Sequence, residues 1–295
     1  MERHQITGHT ELIGLLAYPI RHSQSPATHN AAYEKLGVDI VNLAFEVDAP
    51  ELEDAIKGLR ALKMRGANVS MPNKTIVHQY LDEISPAAKL CGAVNTIVNK
   101  DGYLVGHITD GIGYVQSLKD NDIDPTGKKV TIVGSGGAAT AVEIQAALDG
   151  VAEMSIFARD DKFKQNALDT VKKINENTNC KATFYPLEDL DKLKEEMHSS
   201  YLFTNATGVG MKPPEGITYI PDPSFFRPDL IVTDVVYAPH ETAMLKMARH
   251  AGCKTMNGQG MMLFQAIAAI ELILGKRVDS EYMKEKLGIS YVYED

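Results

Sequence analysis

Two segments of the chain place a titratable side chain just beyond a predicted strand. In the segment 68–74, which reads NVSMPNK, Lys74 lies at the predicted start of a helix. A helix N-terminus disfavours the charged form of a lysine, so Lys74 is a candidate for proton transfer. Asp110, in the segment 109–111, lies at a second strand end. A Lys–Asp pair can bind an alcohol and relay its proton; the alternative is a solvated lysine and a helix N-cap.

Two hydroxyl groups precede another predicted helix, 25–36. Ser25 is its predicted N-cap, Pro26 occupies its first turn and Gly37 ends it. Ser23 and Ser25, together with the N–H groups of the helix N-terminus, form a candidate site for a substrate carboxylate. Helix capping alone is the alternative role of Ser25.

A glycine-rich turn follows the apolar run 130–133. Residues 134–139 read GSGGAA and fit the G-x-G-x-x-A pattern of dinucleotide-binding turns. Gly134 permits the tight turn, Gly136 lets the backbone approach a pyrophosphate, and Ala139 allows the helix to pack closely on the strand. Because a strand precedes the turn and a helix and five further strands follow it, this context favours nucleotide binding over a turn without a ligand.

The end of the next predicted strand, 154–158, carries both signs of charge that select a cofactor. Arg159 favours an adenosine 2′-phosphate, whereas Asp160 or Asp161 accepts hydrogen bonds from ribose hydroxyls and repels that phosphate. The sequence therefore predicts NAD as the favoured cofactor and leaves NADP open. Exposed turn charges without a ligand are the alternative.

These residues are positioned by strands and helices that alternate along the chain, which predicts an α/β fold. Six candidate strands, as expected of a doubly wound sheet, are 130–133, 154–158, 182–185, 202–205, 230–235 and 254–256. A long helix, 261–274, and a shorter one have no further strand to cover, and we expect them to return to the first domain. The prediction is an N-terminal α/β substrate domain, 1–115 completed by 259–295, and a Rossmann-type dinucleotide-binding domain, 116–258.

Composition restricts the class of protein. With 295 residues, 44% hydrophobic and 23% charged, the chain is typical of a globular protein of two domains. A formal net charge of −9 disfavours nucleic acid as a partner. The cysteines are few and the His and Cys spacing fits no metal site. With no membrane span and no signal peptide in residues 1–5, we expect a cytoplasmic monomer or homodimer acting on a small molecule.

Eight short motifs, in order and covering nearly the whole chain, resemble those of the shikimate/quinate dehydrogenase family. They are SxSP at 23–26, NVSxPxK at 68–74, GAVNT at 92–96, TDG at 109–111, GxGGA at 134–138, NATGVGM at 205–211, DVVYxP at 234–239 and GxGMxxxQ at 258–265. The resemblance implies an oxidoreductase that interconverts shikimate and 3-dehydroshikimate, and quinate and 3-dehydroquinate, by hydride transfer with NAD(P).

The resemblance also implies roles for individual residues, with Lys74 and Asp110 as the catalytic pair. The implied substrate-binding residues are Ser23, Ser25, Ser70, Lys74, Asn95, Asp110, Tyr237 and Gln265. The implied cofactor-binding residues are Ser135, Gly136, Gly137, Ala138, Ala158, Arg159, Asp161, Val235, Tyr237 and Gly258.

Three departures from the family pattern bear on specificity. Asp161 matches an aspartate of the broader-specificity quinate/shikimate branch and favours NAD. Ser70 replaces a threonine of the shikimate-specific branch, which leaves room for quinate, and Gly208 replaces a lysine that some relatives place near the cofactor. The remaining alternatives are a dehydrogenase of another cyclic hydroxy acid on this fold and a non-catalytic nucleotide or metabolite sensor.

Overall fold

Two sheets organise the part of the chain that the computed structural model describes, residues 6–211 and 216–293. The residues up to Thr109, together with Leu263–Ile289, form one compact unit. Asp110–Met262 and the residues from Ser290 onward form the other. The N-terminal segment on which the absence of a signal peptide was predicted lies outside the described residues.

The first unit is built on a mixed sheet in the order β2-β1-β3-β5-β6-β4. Its strands are β1 (Glu11–Ala17), β2 (Ile40–Glu46), β3 (Gly66–Val69), β4 (Glu83–Ile84), β5 (Thr96–Lys100) and β6 (Tyr103–His107). Its helices are α1 (Ser25–Leu36), α2 (Leu52–Ala61), α3 (Pro86–Cys91), most of α9 (Gln259–Leu274) and α10 (Ser280–Leu287). Strand β1 pairs in parallel with both β2 and β3, so the carboxyl ends of these strands lie at the same edge.

The second unit contains a sheet in the order β13-β12-β11-β10-β7-β8-β9. Its strands are β7 (Lys129–Val133), β8 (Glu153–Ala158), β9 (Lys181–Pro186), β10 (Leu202–Asn205), β11 (Ile231–Asp234), β12 (Lys254–Met256) and β13 (Val292–Tyr293). Its helices are α4 (Asp110–Lys119), α5 (Gly137–Leu148), α6 (Lys164–Asn177), α7 (Leu190–Ser199) and α8 (Ala243–His250). Strands β7 to β12 are parallel and have the doubly wound order, which reverses between β7 and β10.

Burial explains the central strand and the position of α4. Val130, Ile132 and Val133 of β7 are at most 1% exposed, as a parallel strand covered on both faces requires. Helix α4 packs closely on α5 because a Cβ at Gly111 would lie 2.2 Å from the carbonyl oxygen of Ala141. The helix that begins with Asp110 is thereby fixed against the helix that follows the glycine-rich turn.

The predicted α/β class and the Rossmann-type sheet are confirmed. The two compact units divide the chain at residues that differ somewhat from the predicted domain limits, since α4 belongs to the second unit and the first unit ends at Thr109. Strand β13 pairs antiparallel with β12, so residues 290–293 belong to the second unit. Strand β13 is only two residues long, which is too short to show a hydrophobic periodicity, and the sequence therefore does not predict it.

Two local predictions in the first unit, the helix start at Lys74 and the N-cap at Ser25, are wrong. The helix expected at Lys74 is replaced by two 3-10 turns, Asn73–Thr75 and Val77–Tyr80, so this lysine does not lie at the N-terminus of an α-helix. Helix α1 starts at Ser25 with Gln24 at the N-cap position, so Ser25 is not the N-cap. The hydroxyl of Ser23 instead accepts the backbone N–H of Ser25 at 3.2 Å.

Within the residues that the structure describes, no helix has both the length and the apolar character needed to cross a bilayer.

Candidate active site

The glycine-rich turn after β7 is shaped by two different constraints. Gly134 has a φ of +153°, and a Cβ there would lie 2.8 Å from both the Cβ of Ala139 and the carbonyl oxygen of Ala206. A Cβ at Gly136 or Gly137, by contrast, would meet no protein atom within 4 Å. The protein's own packing therefore requires only the first of these glycines, and the other two leave open space above the turn.

The N-terminus of α5 borders this open space. Gly136 occupies the N-cap position, and no side chain caps the first backbone N–H groups of the helix. These N–H groups and the positive end of the helix dipole suit an anionic group such as a pyrophosphate. The residues present thus fit the phosphate portion of a nicotinamide dinucleotide.

A cavity of about 450 Å³ lies at the carboxyl ends of β7, β8, β10 and β11. Its volume is within the range of small-molecule and cofactor sites. Nine of the ten predicted cofactor residues line it, namely Ser135, Gly136, Gly137, Ala138, Ala158, Arg159, Asp161, Val235 and Tyr237. The tenth, Gly258, does not line the cavity; a Cβ there would lie 2.0 Å from the carbonyl oxygen of Val235, so this glycine allows the backbone to pass behind the cavity wall.

The charged residues at the end of β8 have different local partners. Asp160 forms an ion pair with Lys164 at 3.0 Å. Oδ1 of Asp161 accepts the backbone N–H of Phe163 at 2.8 Å, so this carboxylate also stabilises the turn that leads into α6. Arg159 is exposed and lines the cavity beside Asp161. The cavity therefore presents a cation and an anion at the same end.

The first unit brings three of the predicted substrate residues together at the edge where β3 ends. The backbone N–H of Ser70 donates to the carbonyl oxygen of Leu16 in β1 at 3.1 Å. The carbonyl oxygen of Lys74 accepts from Val94 at 2.8 Å, and that of Asn95 accepts from Val69 at 2.8 Å. Hydrogen bonds between backbone groups thus position Ser70, Lys74 and Asn95, while Ser23 and Ser25 follow the neighbouring strand β1.

Asn95 connects these residues to the chain that enters α4. It is 4% exposed, and its Oδ1 accepts the backbone N–H of Thr109 at 2.9 Å while its Nδ2 donates to the hydroxyl of Thr109 at 3.0 Å. The peptide immediately before Asp110 is therefore fixed by Asn95. Asp110 itself is the first residue of α4, in the second unit.

The last two predicted substrate residues lie in different units. Gln265 is half-buried in α9 and belongs to the first unit, whereas Tyr237 is 51% exposed and lines the cavity of the second.

Several residues of the cavity wall were not among the predicted cofactor-binding residues, although Gly208 was identified as the position of a lysine near the cofactor in some relatives. Thr207, Gly208 and Met211 line it from the loop after β10, and Val236 lines it from the loop after β11. All four lie within the motifs at 205–211 and 234–239. These motifs could have indicated that the four residues lie at the cofactor site, since both loops follow strands near the reversal point of a doubly wound sheet, where ligands bind.

Groups of three or more histidine, cysteine or acidic side chains able to hold a metal ion do not occur among the described residues.

Residues 15–97 match the family model of the shikimate dehydrogenase substrate binding domain. A shikimate dehydrogenase (NADP(+)) from Listeria innocua is 59% identical over 283 residues, which make up 96% of this chain and 97% of that protein. The chain belongs to the shikimate dehydrogenase family.

Solved structures of family members agree with this fold. The shikimate 5-dehydrogenase of Listeria monocytogenes, in complex with shikimate and NAD, is 58% identical with a TM-score of 0.94, covering 97% of this chain and 99% of that chain. The quinate dehydrogenase of Corynebacterium glutamicum, in complex with NAD, is 29% identical with a TM-score of 0.84, covering 95% of this chain and 99% of that chain.

The comparisons confirm the predicted family but do not support the predicted preference for NAD. Similar proteins from Listeria innocua, Listeria monocytogenes and Streptococcus uberis are named shikimate dehydrogenase (NADP(+)). The relative from Listeria monocytogenes was nevertheless solved with NAD. Quinate appears in the name of the more distant relative from Corynebacterium glutamicum.

Proposed function

We propose that this chain is a shikimate dehydrogenase that oxidises the C3 hydroxyl of shikimate to the ketone and catalyses the reverse reduction. The observation that carries the proposal is the cavity over the glycine-rich turn at the reversal point of the second sheet, in a chain 59% identical to a shikimate dehydrogenase. When bound, the nicotinamide ring supplies the hydride acceptor or donor.

Two sets of residues bind the two kinds of group on the substrate, its carboxylate and its ring hydroxyls. Ser23 and Ser25 bind the carboxylate, since their hydroxyls can donate to it, and Tyr237 lies towards that end of the substrate. The ring hydroxyls are held by residues that both donate and accept hydrogen bonds or accept alone, which are Ser70, Asn95, Asp110 and Gln265. This set orients one carbon of the ring for reaction.

Lys74 takes the hydroxyl proton during oxidation and returns it during reduction, while Asp110 accepts a hydrogen bond from the same hydroxyl and orients the lysine. This role is supported because the backbone of both residues is held in place. The carbonyl oxygen of Lys74 accepts from the N–H of Val94 at 2.8 Å, and Asn95 fixes the peptide before Asp110.

We propose further that the enzyme accepts both NADP and NAD. Arg159 provides a cation for the 2′-phosphate of NADP, as the names of the relatives favour. The Asp161 carboxylate accepts the N–H of Phe163 at 2.8 Å and can also accept hydrogen bonds from the ribose hydroxyls of NAD.

Quinate is a second candidate substrate because Ser70 leaves space for its additional hydroxyl.

The direct test is the initial rate of cofactor reduction with shikimate or quinate, each combined with NADP or NAD. Turnover of shikimate with at least one cofactor is the expected result. Binding of a dinucleotide without turnover of either acid would support a non-catalytic sensor instead. Turnover restricted to other cyclic hydroxy acids would show that the fold carries a different specificity.

The cofactor proposal has its own pair of variants. Asp161→Asn keeps an oxygen that can accept the Phe163 N–H, so the turn is preserved while the negative charge is removed. We expect this variant to raise the ratio of kcat/KM for NADP over NAD, and Arg159→Ala to lower it, each by about tenfold for a charged contact of ~1.4 kcal/mol. Unchanged ratios in both variants would remove these residues from cofactor selection.

A further inference from the structure

Asp234, the last residue of β11, is a buried carboxylate that accepts three hydrogen bonds. It is 2% exposed. Its Oδ1 accepts from Nδ2 of Asn205 at 2.9 Å and from the backbone N–H of Val236 at 2.9 Å, and its Oδ2 accepts from the Thr242 hydroxyl at 2.8 Å. These donors come from β10, from the loop after β11 and from the N-cap of α8, so one side chain connects three segments.

Asn205 extends this network to the loop after β10. Its Oδ1 accepts from the backbone N–H of Thr207 at 3.2 Å and from the Thr207 hydroxyl at 2.7 Å. Thr207 and Val236 both line the cavity, whereas Asp234 and Asn205 do not. The carboxylate of Asp234 therefore reaches two walls of the cavity. One hydrogen bond connects it to Val236, and two successive hydrogen bonds through Asn205 connect it to Thr207.

We propose that Asp234 is a positioning residue for the dinucleotide, whose carboxylate holds the loops after β10 and β11 in the arrangement that binds the cofactor. This inference rests on the proposed function in one respect, namely that the cavity binds a nicotinamide dinucleotide. When the two loops already have their binding conformation in the free protein, they lose less conformational entropy as the cofactor binds, and the affinity is higher.

The ionisation state of Asp234 is sensitive to pH. Burial raises the pKa of Asp234 to about 7, although the three hydrogen-bond donors favour the carboxylate and by themselves lower this pKa. Among the described residues, the titratable group next to it is Tyr219, whose hydroxyl donates to Oδ1 of Asn205 at 3.2 Å. Burial and then the charge of Asp234 hold the pKa of Tyr219 well above its ordinary value. The facing groups on β10 and at the start of α8, Asn205 and Thr242, do not titrate.

Protonation of Asp234 weakens the network at a definite place. A protonated Oδ2 becomes a donor, so the Thr242 hydroxyl must accept from it. That hydroxyl already accepts the backbone N–H of Leu245 at 3.3 Å, and its own hydrogen loses its acceptor. The bonds to Oδ1 also become neutral ones, which are roughly half as strong. We therefore expect weaker cofactor binding as the pH falls through about 7.

The test is calorimetric titration with NADH, in the absence of shikimate, for the wild-type protein and Asp234→Asn. NADH is the probe because it lacks the 2′-phosphate of NADPH, a group that would titrate in the same range. An asparagine reproduces the hydrogen-bond pattern of the protonated aspartate. The wild-type Kd should rise by about tenfold as the pH falls, and the variant should show the weaker Kd at every pH.

A second variant tests the same inference if Asp234→Asn folds poorly. Thr242→Val removes one donor to the carboxylate, which raises the pKa of Asp234 further, so the pH at which NADH affinity is half lost should move upward. The control that should keep the wild-type pH dependence is Asp222→Asn, which changes an exposed cap elsewhere in the same unit.

Steady-state rates separate this inference from the proposed function. A positioning role predicts that Asp234→Asn raises the KM for the cofactor and leaves the KM for shikimate unchanged. Identical NADH affinity and pH dependence in the wild-type protein and Asp234→Asn would overturn the inference even if shikimate is turned over. Intact binding and pH dependence without turnover of shikimate would overturn the proposed function alone.

Discussion

Gly134 and the pair Gly136 and Gly137 are glycines for different physical reasons, and only the first could be deduced from packing. Gly134 has a positive φ and no space for a Cβ. The other two have space, which becomes meaningful only because a cavity of about 450 Å³ lies over them. The G-x-G-x-x-A pattern predicts Gly134 and Gly136, because it reflects ligand binding as well as the turn, and the family resemblance adds Gly137.

At the same scale, Lys74→Ala tests the proton transfer. We expect kcat to fall by about 10²–10⁴, the usual contribution of a positioned acid–base group, with a much smaller change in the KM for shikimate. The matched control is Lys57→Ala, which removes an exposed lysine paired with Glu53 at 2.8 Å in α2. Equal kcat values for Lys74→Ala and the wild-type enzyme would exclude the lysine from the reaction.

Glu143 is a second residue with a measurable consequence. It is 0% exposed in α5, and neither of its carboxylate oxygens has a hydrogen-bond partner among the described residues. Burial raises its pKa from 4.5 to about 8. Because the folded state holds a proton that the unfolded state releases between these values, the free energy of unfolding should fall as the pH rises through this range, by up to ~1.4 kcal/mol per pH unit.

Glu143→Gln should remove this part of the pH dependence, because an amide does not ionise. The measurement is urea unfolding of the wild-type protein and the variant across the same pH range. Glu176→Gln, an exposed glutamate of α6, should leave the dependence as it is in the wild-type protein. Parallel pH profiles for the wild-type protein and Glu143→Gln would contradict the assigned ionisation.

At the scale of elements, α4 is tied to the sheet at two points. The hydroxyl of Tyr114 lies 2.6 Å from the Thr204 hydroxyl in β10 and 3.0 Å from the Thr233 hydroxyl in β11. These threonines directly precede Asn205 and Asp234. The helix that begins with Asp110 is therefore anchored to the two strands whose ends carry the hydrogen-bond network behind the cavity.

Tyr114→Phe should lower the free energy of unfolding by about 1–2 kcal/mol, because it removes the shared hydroxyl and leaves the two threonine hydroxyls to bond each other at 3.0 Å. Denaturant unfolding measures this change. Tyr103→Phe is the control, since the Tyr103 hydroxyl is exposed and its bond to Glu83 is 3.4 Å long. A loss no greater than that of Tyr103→Phe would show that this anchor contributes nothing.

The elements also show which parts of the fold a sequence can and cannot reveal. Strands β7, β8, β10 and β11 are predicted well because each is a largely apolar run bounded by polar turns. The strands β4 and β13, two residues each, have no period to detect. The 3-10 turn that carries Lys74 resembles a helix start in sequence, and only the backbone hydrogen bonds of the folded chain distinguish the two.

At the scale of the whole molecule, the site depends on residues far apart in the chain, and here local patterns were insufficient. The residue types alone made Lys74 and Asp110 a candidate pair beside the alternative of a solvated lysine and a helix N-cap. The family resemblance decided between the two, since their separation of 36 positions does not indicate a shared role. Cofactor preference was the weakest inference, because Arg159 and Asp161 act in opposite directions and their balance depends on local contacts such as that of Asp161 with Phe163.

The proposed reaction transfers a hydride from C3 of shikimate to a nicotinamide dinucleotide. The most direct measurement uses shikimate carrying deuterium at C3, with mass spectrometry of the reduced cofactor after turnover with NADP and with NAD. We expect a reduced cofactor that is heavier by one deuterium in place of hydrogen. Reduced cofactor without the label, or no shikimate-dependent reduction with either cofactor, would contradict it.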